Sequence, residues 1–449
     1  MIGKDRIFTI LNGILKKSPA EQTEAVFLGT SSGQTRFANS YIHQNAYESS
    51  IRIFFRAVVG KKIGVVSTSS MLKDDLNSAL LNAYNIAMNQ CENPDFTELP
   101  SQAVYQRVKS HYSETAKFTP MQRAHKIKMI FNKATKQHLT VAGRFFTSEL
   151  EVAVVNTNGI EAYQPLTSAA VNVTIMGDNS SGYAEGLSRD VRKIKFDRIA
   201  ETATQKCLDS ANPIEITPGK YNVILEPKAV AEIIEWMNYT GFGAKRLEEG
   251  TSFLSNRAGK KVMGENISIY DDGLDPDGLP MPFDFEGVPK RKVVFVKKGL
   301  AGNAVYDTIN ANRAGVKSTG HALTPDSSGE TFSLNTFVAG AKNSLSSMIS
   351  KTEKGILVTR FHYVNGMLDT RKALMTGMTR DGTFLIKKGK IVSGIKNLRF
   401  TESMLRAFSQ VKMISRDRQA INTWWSDVGC IVAPTMLITG FNFSGKTEF

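Results

Sequence analysis

A metal-dependent peptidase can be recognised from side-chain spacing, and this chain lacks the usual pattern. A catalytic zinc takes about three protein ligands, usually histidines with a carboxylate or a cysteine, and keeps one position open for water. A nearby glutamate then serves as the base for that water. No two histidines of this chain have helix-ligand spacing with a glutamate between them. The histidines are His43, His111, His125, His138, His321 and His362.

A phosphate-binding loop is suggested by residues 440–447, GFNFSGKT, which match the pattern G-x-x-x-x-G-K-[ST]. In a working loop of this type a helix follows, and the N-terminus of that helix faces the phosphates. Only Glu448 and Phe449 follow here. We therefore interpret the match as coincidental and expect these residues at the end of a strand.

One acidic segment could in principle bind calcium. An EF-hand loop begins with an aspartate, has glycine at its sixth position and closes with a glutamate. With Gly278 in the glycine position, Gly273 falls where the first aspartate is needed, and Asp284 would close the loop. The spacing favours a solvated turn for its five aspartates: Asp271, Asp272, Asp275, Asp277 and Asp284.

The composition is that of an ordinary globular protein. The chain has 449 residues, 41% of them hydrophobic and 22% charged, which predicts two or three domains with a core in each. No apolar run approaches the length of a membrane span, and charges interrupt the apolar residues of the N-terminus. We therefore expect a cytoplasmic protein without a membrane partner. The three cysteines are far apart and predict no disulfide framework.

The net charge of +14 raises the question of an anionic partner such as nucleic acid. The basic residues are scattered, and the densest clusters lie at 290–298 and 387–390, beside predicted strands and turns. No recognition helix, zinc finger or aromatic RNA-binding signature accompanies them. The pattern favours a solvated surface and leaves nucleic acid as a weaker alternative.

Residues 221–254 organise the second half of the chain. Residues 221–225 are rich in strand formers. Pro227 is suited to the first turn of a helix, and Val230, Ile233, Ile234 and Met237 follow at helical spacing. Glycines at 241 and 243 then predict the end of that helix.

This strand–helix–turn frame ends in Gly250-Thr251-Ser252 and, with YDDG at 270–273 and FEGV at 285–288, resembles the TldD/PmbA family, also called modulator of DNA gyrase. The TldD branch carries His-Glu-x-x-x-His on this helix. Aligning the GTS residues places that motif on Glu235, Trp236 and Thr240, none of which is the expected residue. The PmbA (TldE) branch also lacks the motif. The resemblance therefore implies a chain without zinc or another cofactor, without catalytic residues of its own, and partnered by a TldD-like peptidase.

Further blocks of the resemblance follow in order at 302–319, 383–391 and 433–445. The family's Ser-Thr-Gly-Asn reads Ser318-Thr319-Gly320-His321 here, and its Thr-Gly-x-Phe segment lacks the phenylalanine at Thr379. The resemblance implies peptide-binding residues in two loops. They are Gly250, Thr251, Ser252, Ser318, Thr319, Gly320 and His321.

The fold that we predict is α+β, with an N-terminal α/β domain over 1–212 and a β-rich, peptidase-like domain with mixed or antiparallel sheets over 213–449. Helices are expected at 1–20, 72–90, 121–136 and 196–211, with strands at 24–28, 49–58 and 62–67. Residues 139–176 predict an antiparallel meander that breaks at Gly143, Pro165 and the Asn158-Gly159 turn. No internal repeat is evident.

The expected function is that of the non-catalytic subunit of a cytoplasmic metalloprotease complex that degrades unfolded peptides, paired with a TldD-like subunit or as a homodimer. One alternative is a regulatory protein that acts on DNA gyrase or nucleic acid. Another is an autonomous metallopeptidase with a non-standard metal site, for which Glu235, His321, His362 and Cys430 are the candidate ligands. A purely structural homo-oligomer is the last.

Overall fold

The computed structural model describes residues 1–327, 329–423 and 428–447 and combines helices with two extended sheets. The helices are α1 (Lys4–Leu15), α2 (Lys73–Asn89), α3 (Ser113–Ala116), α4 (Pro120–Thr135), α5 (Phe196–Asp209), α6 (Pro227–Met237), α7 (Ala244–Glu248), α8 (Thr308–Arg313), α9 (Leu345–Ser350) and α10 (Met404–Ser409). The strands are β1 (Gln22–Ala38), β2 (Tyr41–Val59), β3 (Lys62–Thr68), β4 (Thr140–Asn156), β5 (Glu161–Met176), β6 (Ser181–Ser188), β7 (Gly219–Leu225), β8 (Ile269–Asp271), β9 (Val293–Lys297), β10 (Leu300–Ala301), β11 (Asn335–Val338), β12 (Lys354–Asp369), β13 (Leu374–Lys387), β14 (Lys390–Gly394), β15 (Leu398–Ser403), β16 (Val411–Asn422) and β17 (Cys430–Lys446). The mixture confirms the predicted α+β class.

The first sheet is antiparallel, in the order β3-β2-β1-β4-β5-β6. Its elements run α1-β1-β2-β3-α2 and then, after α3, α4-β4-β5-β6-α5. The same helix–three strands–helix order therefore occurs twice, and the two halves meet where β1 pairs with β4. The expectation of no internal repeat was wrong at the level of topology.

The last helix of each half packs directly on the backbone of its third strand. A Cβ on Gly64 would lie 2.0 Å from the carbonyl oxygen of Ala83 in α2. A Cβ on Gly182 would lie 2.1 Å from the carbonyl oxygen of Ala203 in α5. Only glycine permits so close a contact at these two positions.

The strands of this sheet are longer than predicted. β1 and β2 extend well beyond 24–28 and 49–58, and β4 and β5 run without interruption through Gly143 and Pro165. Pro165 is tolerated because β6 pairs with β5 only from Ala169 onward, so the proline lies where β5 is an edge strand. The predicted turn at Asn158-Gly159 is confirmed.

The second sheet is mixed and β17 lies at its centre. β17 pairs in parallel with β11 and antiparallel with β7, β15 and β16 along its length. α6 packs on this sheet through Val230, Ile233, Ile234 and Met237, all fully buried. The helix face predicted from spacing is confirmed.

The two sheets meet in a shared apolar layer. Val26 and Phe54 of the first sheet pack in one cluster with Met281, Phe283 and Phe285 from the segment between β8 and β9. Strands of the first sheet end at position 188 and those of the second begin at 219. The boundary near 213 falls between them and stays a prediction. No helix in the described residues is long and apolar enough to cross a membrane.

Candidate functional site

The three positions that align with the family's metal motif lie on the last turn of α6 and in the π-helix Asn238–Phe242 that follows it. Glu235 and Thr240 are buried. The Thr240 hydroxyl donates to the carbonyl oxygen of Trp236 at 2.7 Å, within the helix itself. Trp236 contacts Tyr239 edge to face, and a Cβ on Gly366 of β12 would lie only 3.0 Å from its Cβ. An indole packed on a strand backbone thus occupies the position that the predicted alignment on Gly250-Thr251-Ser252 assigns to the family's catalytic base.

The Gly250-Thr251-Ser252 turn holds the end of this helical segment in place. The Ser252 side chain is buried and donates to the carbonyl oxygen of Gly241 at 2.7 Å. The carbonyl oxygen of Thr251 accepts a hydrogen bond of 2.6 Å from Thr370, which follows β12. The turn therefore ties the π-helix to the β12–β13 hairpin.

The Ser318–His321 loop is fixed from both sides. The hydroxyls of Ser318 and Thr319 both donate to the carbonyl oxygen of Tyr306, at 3.2 and 3.1 Å. Gly320 has a φ of +74° and its carbonyl oxygen accepts a hydrogen bond from Lys290 at 3.0 Å. A Cβ at Gly320 would lie 2.5 Å from the carbonyl oxygen of Pro289, so glycine is required here.

His321 is fully buried beside a carboxylate. Its Nε2 lies 2.9 Å from Asp271 Oδ1, and neither side chain is exposed. Its Nδ1 donates to the carbonyl oxygen of Thr319 at 2.9 Å. Burial alone would raise the pKa of Asp271, but His321 and Lys290 outweigh burial and hold that pKa below its ordinary value.

A polar chain connects this pair with the motif helix. The hydroxyl of Ser333 donates to Asp271 Oδ2 at 2.7 Å, and the amide of Asn238 donates to the carbonyl oxygen of Ser333 at 2.7 Å. In a hydrolytic triad the histidine lies between the serine and the carboxylate. Here Asp271 lies between Ser333 and His321, all in the interior, so the arrangement supports the fold and does not activate a nucleophile.

The structure places the proposed metal ligands in different environments. Cys430 is buried with its Sγ 3.6 Å from Asn335 Oδ1, and burial raises the pKa of its thiol to about 12. A protonated thiol does not ligate zinc. No group of three histidine, cysteine, aspartate or glutamate side chains that could hold a metal ion occurs in the part of the chain that the structure describes.

The acidic segment also has separate partners for its aspartates. Asp272 pairs with Lys292 at 3.2 Å, and Asp277 pairs with Arg418 at 2.6 Å. The Oδ1 of Asp284 accepts the backbone N–H groups of residues 286 and 288. Residues 440–446 lie within β17, as expected for a coincidental phosphate-loop match.

Family profiles match most of the second half and part of the first. The profile described as PmbA/TldA metallopeptidase C-terminal domain matches residues 218–445, and the profile for domain 1 of the same metallopeptidases matches residues 23–87. The chain belongs to the PmbA/TldD family.

Relatives in the PmbA/TldD family are divergent but cover most of the chain. A metalloprotease TldD homolog from Buchnera aphidicola subsp. Acyrthosiphon pisum is 24% identical over 405 residues, which are 84% of this chain and 82% of that protein. Metalloprotease PmbA of Escherichia coli O157:H7 is 21% identical over 317 residues, covering 69% and 67%. TldE from Thermococcus kodakarensis has a similar fold, with a TM-score of 0.89, 20% identity and coverage of 97% of this chain and 100% of that one. So does a Thermotoga maritima protein named as a candidate modulator of a DNA gyrase, with a TM-score of 0.84, 18% identity and 98% coverage of each.

Sequence reasoning missed the partners of His321 in this PmbA/TldD-family chain. Asp271 was considered for calcium and as part of the YDDG block but not as a partner of His321, and Asn238 and Ser333 were not considered at all. The available signals were Asp271, in the YDDG block, and Asn238, which lies inside the motif segment. Asp271 and Ser333 come together because β8 pairs with β11, a long-range contact that local patterns do not reveal.

Replacing Ser252 with alanine is expected to destabilise the protein by about 1–3 kcal/mol, because the buried carbonyl oxygen of Gly241 would lose its donor. Urea unfolding followed by circular dichroism measures this. Ser101→Ala, at an exposed position, is the control and should change stability by less than about 0.5 kcal/mol. Equal effects of the two substitutions would contradict the assigned role of Ser252.

Proposed function

We propose that this chain is the non-catalytic, TldE-like subunit of a cytoplasmic metalloprotease complex, in which it binds unfolded peptides for a TldD-like partner. The observation that carries the proposal is the identity of the side chains at the three motif positions of this helix. The family frame is intact around it, but the helix presents Glu235, Trp236 and Thr240 in place of a zinc-binding set. Similarity to a TldD homolog and to the fold of a TldE protein supports this assignment.

The side chains of the motif helix do not fit a zinc ion. An indole is neither a zinc ligand nor a base, and the Thr240 hydroxyl is bonded to the helix backbone. His321 is held between Asp271 and the carbonyl oxygen of Thr319, away from solvent. Glu235 alone would leave the metal without its other protein ligands. We therefore expect no zinc in this chain and derive no reaction step through one.

The two family loops differ in how their residues could meet a peptide. Gly250, Thr251, Ser318 and Thr319 are partly exposed. Ser252, Gly320 and His321 are buried and hold the loops in place through contacts with the protein interior. We propose direct peptide contact for the four exposed positions and a supporting role for the three buried ones.

The isolated protein is expected to show no chelator-sensitive hydrolysis of an unfolded substrate such as reduced, carboxymethylated lactalbumin. Mixed with a purified TldD-like protein that carries His-Glu-x-x-x-His, it is expected to form a 1:1 complex that cleaves the substrate. Sedimentation velocity gives the stoichiometry, and gel analysis of the substrate gives the cleavage.

A control for this assay uses the TldD-like protein with its motif glutamate changed to glutamine. That complex should assemble and remain inactive, because the base for the metal-bound water is missing. Chelator-sensitive cleavage by the isolated chain would instead favour an autonomous metallopeptidase. A stable homodimer that does not bind the TldD-like protein would overturn the heteromeric arrangement.

Nucleic-acid binding is a second candidate, favoured by the net charge of +14. Two lysines of the first basic cluster already have partners within the chain, since Lys290 is buried against Gly320 and the half-exposed Lys292 pairs with Asp272. Lys387, Lys388 and Lys390 of the second cluster are exposed. DNA migration that is unchanged at low salt would eliminate this candidate, because phosphate contacts are strongest there.

A further inference from the structure

A cleft of about 760 Å³ lies between the two sheets, on the side of β6 and β16. This volume is within the range of about 300–1,000 Å³ that ligand sites occupy. Residues 183–190, from β6 and the turn that follows it, and residues 417–420 of β16 line it. The side-chain amide of Gln419 donates to the carbonyl oxygen of Glu185 at 2.9 Å and so connects the two walls.

The wall formed by β6 has a free backbone edge. In the described residues β6 pairs with β5 alone. Backbone groups of an antiparallel strand point alternately to its two sides. The carbonyl oxygens of Ser181 and Glu185 bond side chains on the side away from β5, so the backbone of Leu187 points to that side too. No described residue bonds the N–H of Glu185 or the N–H and C=O of Leu187. An extended peptide could pair with these groups.

The cleft has an excess of positive charge. Eight of its lining residues are lysines or arginines, and five are aspartates or glutamates. Each acidic residue already has a cationic partner: Arg192 for Asp190, Lys206 for Glu226, Lys228 for Glu185, Arg418 for Asp277 and Arg416 for Asp417.

Five of the cations have no carboxylate within ion-pair distance among residues 1–327, 329–423 and 428–447. They are Lys109, Arg189, Lys193, Lys195 and Arg198. All but Arg189 are exposed. Arg189 is 6% exposed, its guanidinium donates to the carbonyl oxygens of Thr167 and Leu279, and its Nε has no acceptor. An uncompensated buried cation is costly, and an anion in the cleft would offset it.

We propose that this cleft binds an acidic peptide segment in extended conformation, with its backbone along the free edge of β6 and its carboxylates facing Lys193, Lys195 and Arg198. The inference rests on the peptide-binding function proposed above and adds the class of sequence that is selected. A strand edge recognises a peptide backbone and not a phosphodiester. The cleft's tyrosine rings, Tyr112 and Tyr183, each carry a cation over one face, which leaves little surface for stacked bases.

Fluorescence anisotropy with the full-length protein tests the charge preference. The probes are a labelled ten-residue peptide with four glutamates and the same peptide with four glutamines. The acidic peptide is expected to bind about tenfold more tightly. The double substitution Lys193→Glu with Lys195→Glu should remove that difference. The matched control is Lys16→Glu with Lys17→Glu, an exposed adjacent pair outside the cleft, which should preserve it.

A second set of probes tests the strand pairing without changing the protein. Two versions of the acidic peptide are made, one with its odd-numbered backbone nitrogens methylated and the other with its even-numbered ones methylated. A methylated nitrogen cannot donate a hydrogen bond to the carbonyl oxygen of Leu187. At least one of the two methylated peptides is therefore expected to bind about tenfold more weakly than the unmethylated peptide. Full affinity of both methylated peptides would overturn the strand arrangement.

The outcomes separate this inference from the function on which it rests. Equal binding of both peptides, unaffected by the cleft substitutions, would overturn the acidic preference and leave peptide binding in place. Failure to bind either peptide would overturn peptide binding itself. Tight binding of single-stranded DNA that is lost in the cleft variant, with weak binding of the acidic peptide, would identify a nucleic-acid site instead.

Discussion

Replacing Asp271 with alanine should destabilise the protein by about 3–5 kcal/mol, the usual cost of removing one partner of a buried charged pair. Two donors would lose their acceptor together, the hydroxyl of Ser333 at 2.7 Å and the backbone N–H of Asn335 at 3.0 Å, and His321 would lose the carboxylate that lies 2.9 Å from its Nε2. The buried ammonium of Lys290 would lose a nearby negative charge as well. Urea unfolding monitored by tryptophan fluorescence measures the loss.

The neighbouring residue supplies a matched control. Asp272 pairs with Lys292 at 3.2 Å, and the lysine side chain is half exposed. Surface pairs of this kind contribute about 0–1 kcal/mol, so Asp272→Ala should have a small effect. If the two substitutions were equally mild, Asp271 would not be the centre of the network. The His321→Ala variant should also be destabilised, and the double variant should lose less than the sum of the two because they share one contact.

Local patterns predicted those elements whose faces are determined by nearby residues. The buried stripe of α6, the break at Gly243 and the Asn158-Gly159 turn were confirmed, whereas Gly241 lies within the π-helix and does not end the helical segment. The long strands were underestimated because their outer parts carry polar residues. His43, Gln44 and Asn45, for example, lie in the exposed part of β2 and interrupt the apolar alternation there. Only pairing with β1 across the hairpin shows that the strand continues.

The candidate site was predictable in part. The resemblance brought attention to the motif helix and to His321, but it gave no indication that His321 would be buried against Asp271. That pair joins residues 50 positions apart, which no local pattern connects. Peptide contact by the two family loops remains a prediction. The acidic preference of the cleft could not be predicted, because its walls come from β6 and β16, more than 200 residues apart in sequence.

The contact between the two sheets contains a second buried network, which determines how stability should vary with pH. Arg56 of β2 donates to Glu286 at 2.9 Å and lies 3.5 Å from Glu24 of β1. Neither carboxylate oxygen of Glu24 has a hydrogen-bond partner among the described residues. Burial therefore dominates over the attraction of Arg56 and raises the pKa of Glu24 from its ordinary 4.5 to about 7. Burial likewise raises the pKa of Asp284, which lies near Glu286, to about 7.

A carboxyl group with a higher pKa in the folded state binds its proton more tightly there than in the unfolded chain. The contribution of Glu24 to the free energy of unfolding should therefore decrease as the pH rises from about 4.5 through about 7. The total decrease is on the order of 3 kcal/mol, since one pKa unit corresponds to about 1.4 kcal/mol. The penalty is fully present above pH 7 and absent below pH 4.5.

The Glu24→Gln variant should thus be more stable than the original protein at pH 8, by on the order of 3 kcal/mol, and nearly equal to it at pH 4.5. Urea unfolding at several pH values measures the difference between the two proteins, in which the contributions of all other titrating groups cancel. Glu21→Gln removes the same charge at an exposed position and should give a difference below about 0.5 kcal/mol at every pH. If Glu24→Gln were instead less stable at pH 8, the ion pair with Arg56 would outweigh burial, and Glu24 would be a charged partner of Arg56 within the first sheet.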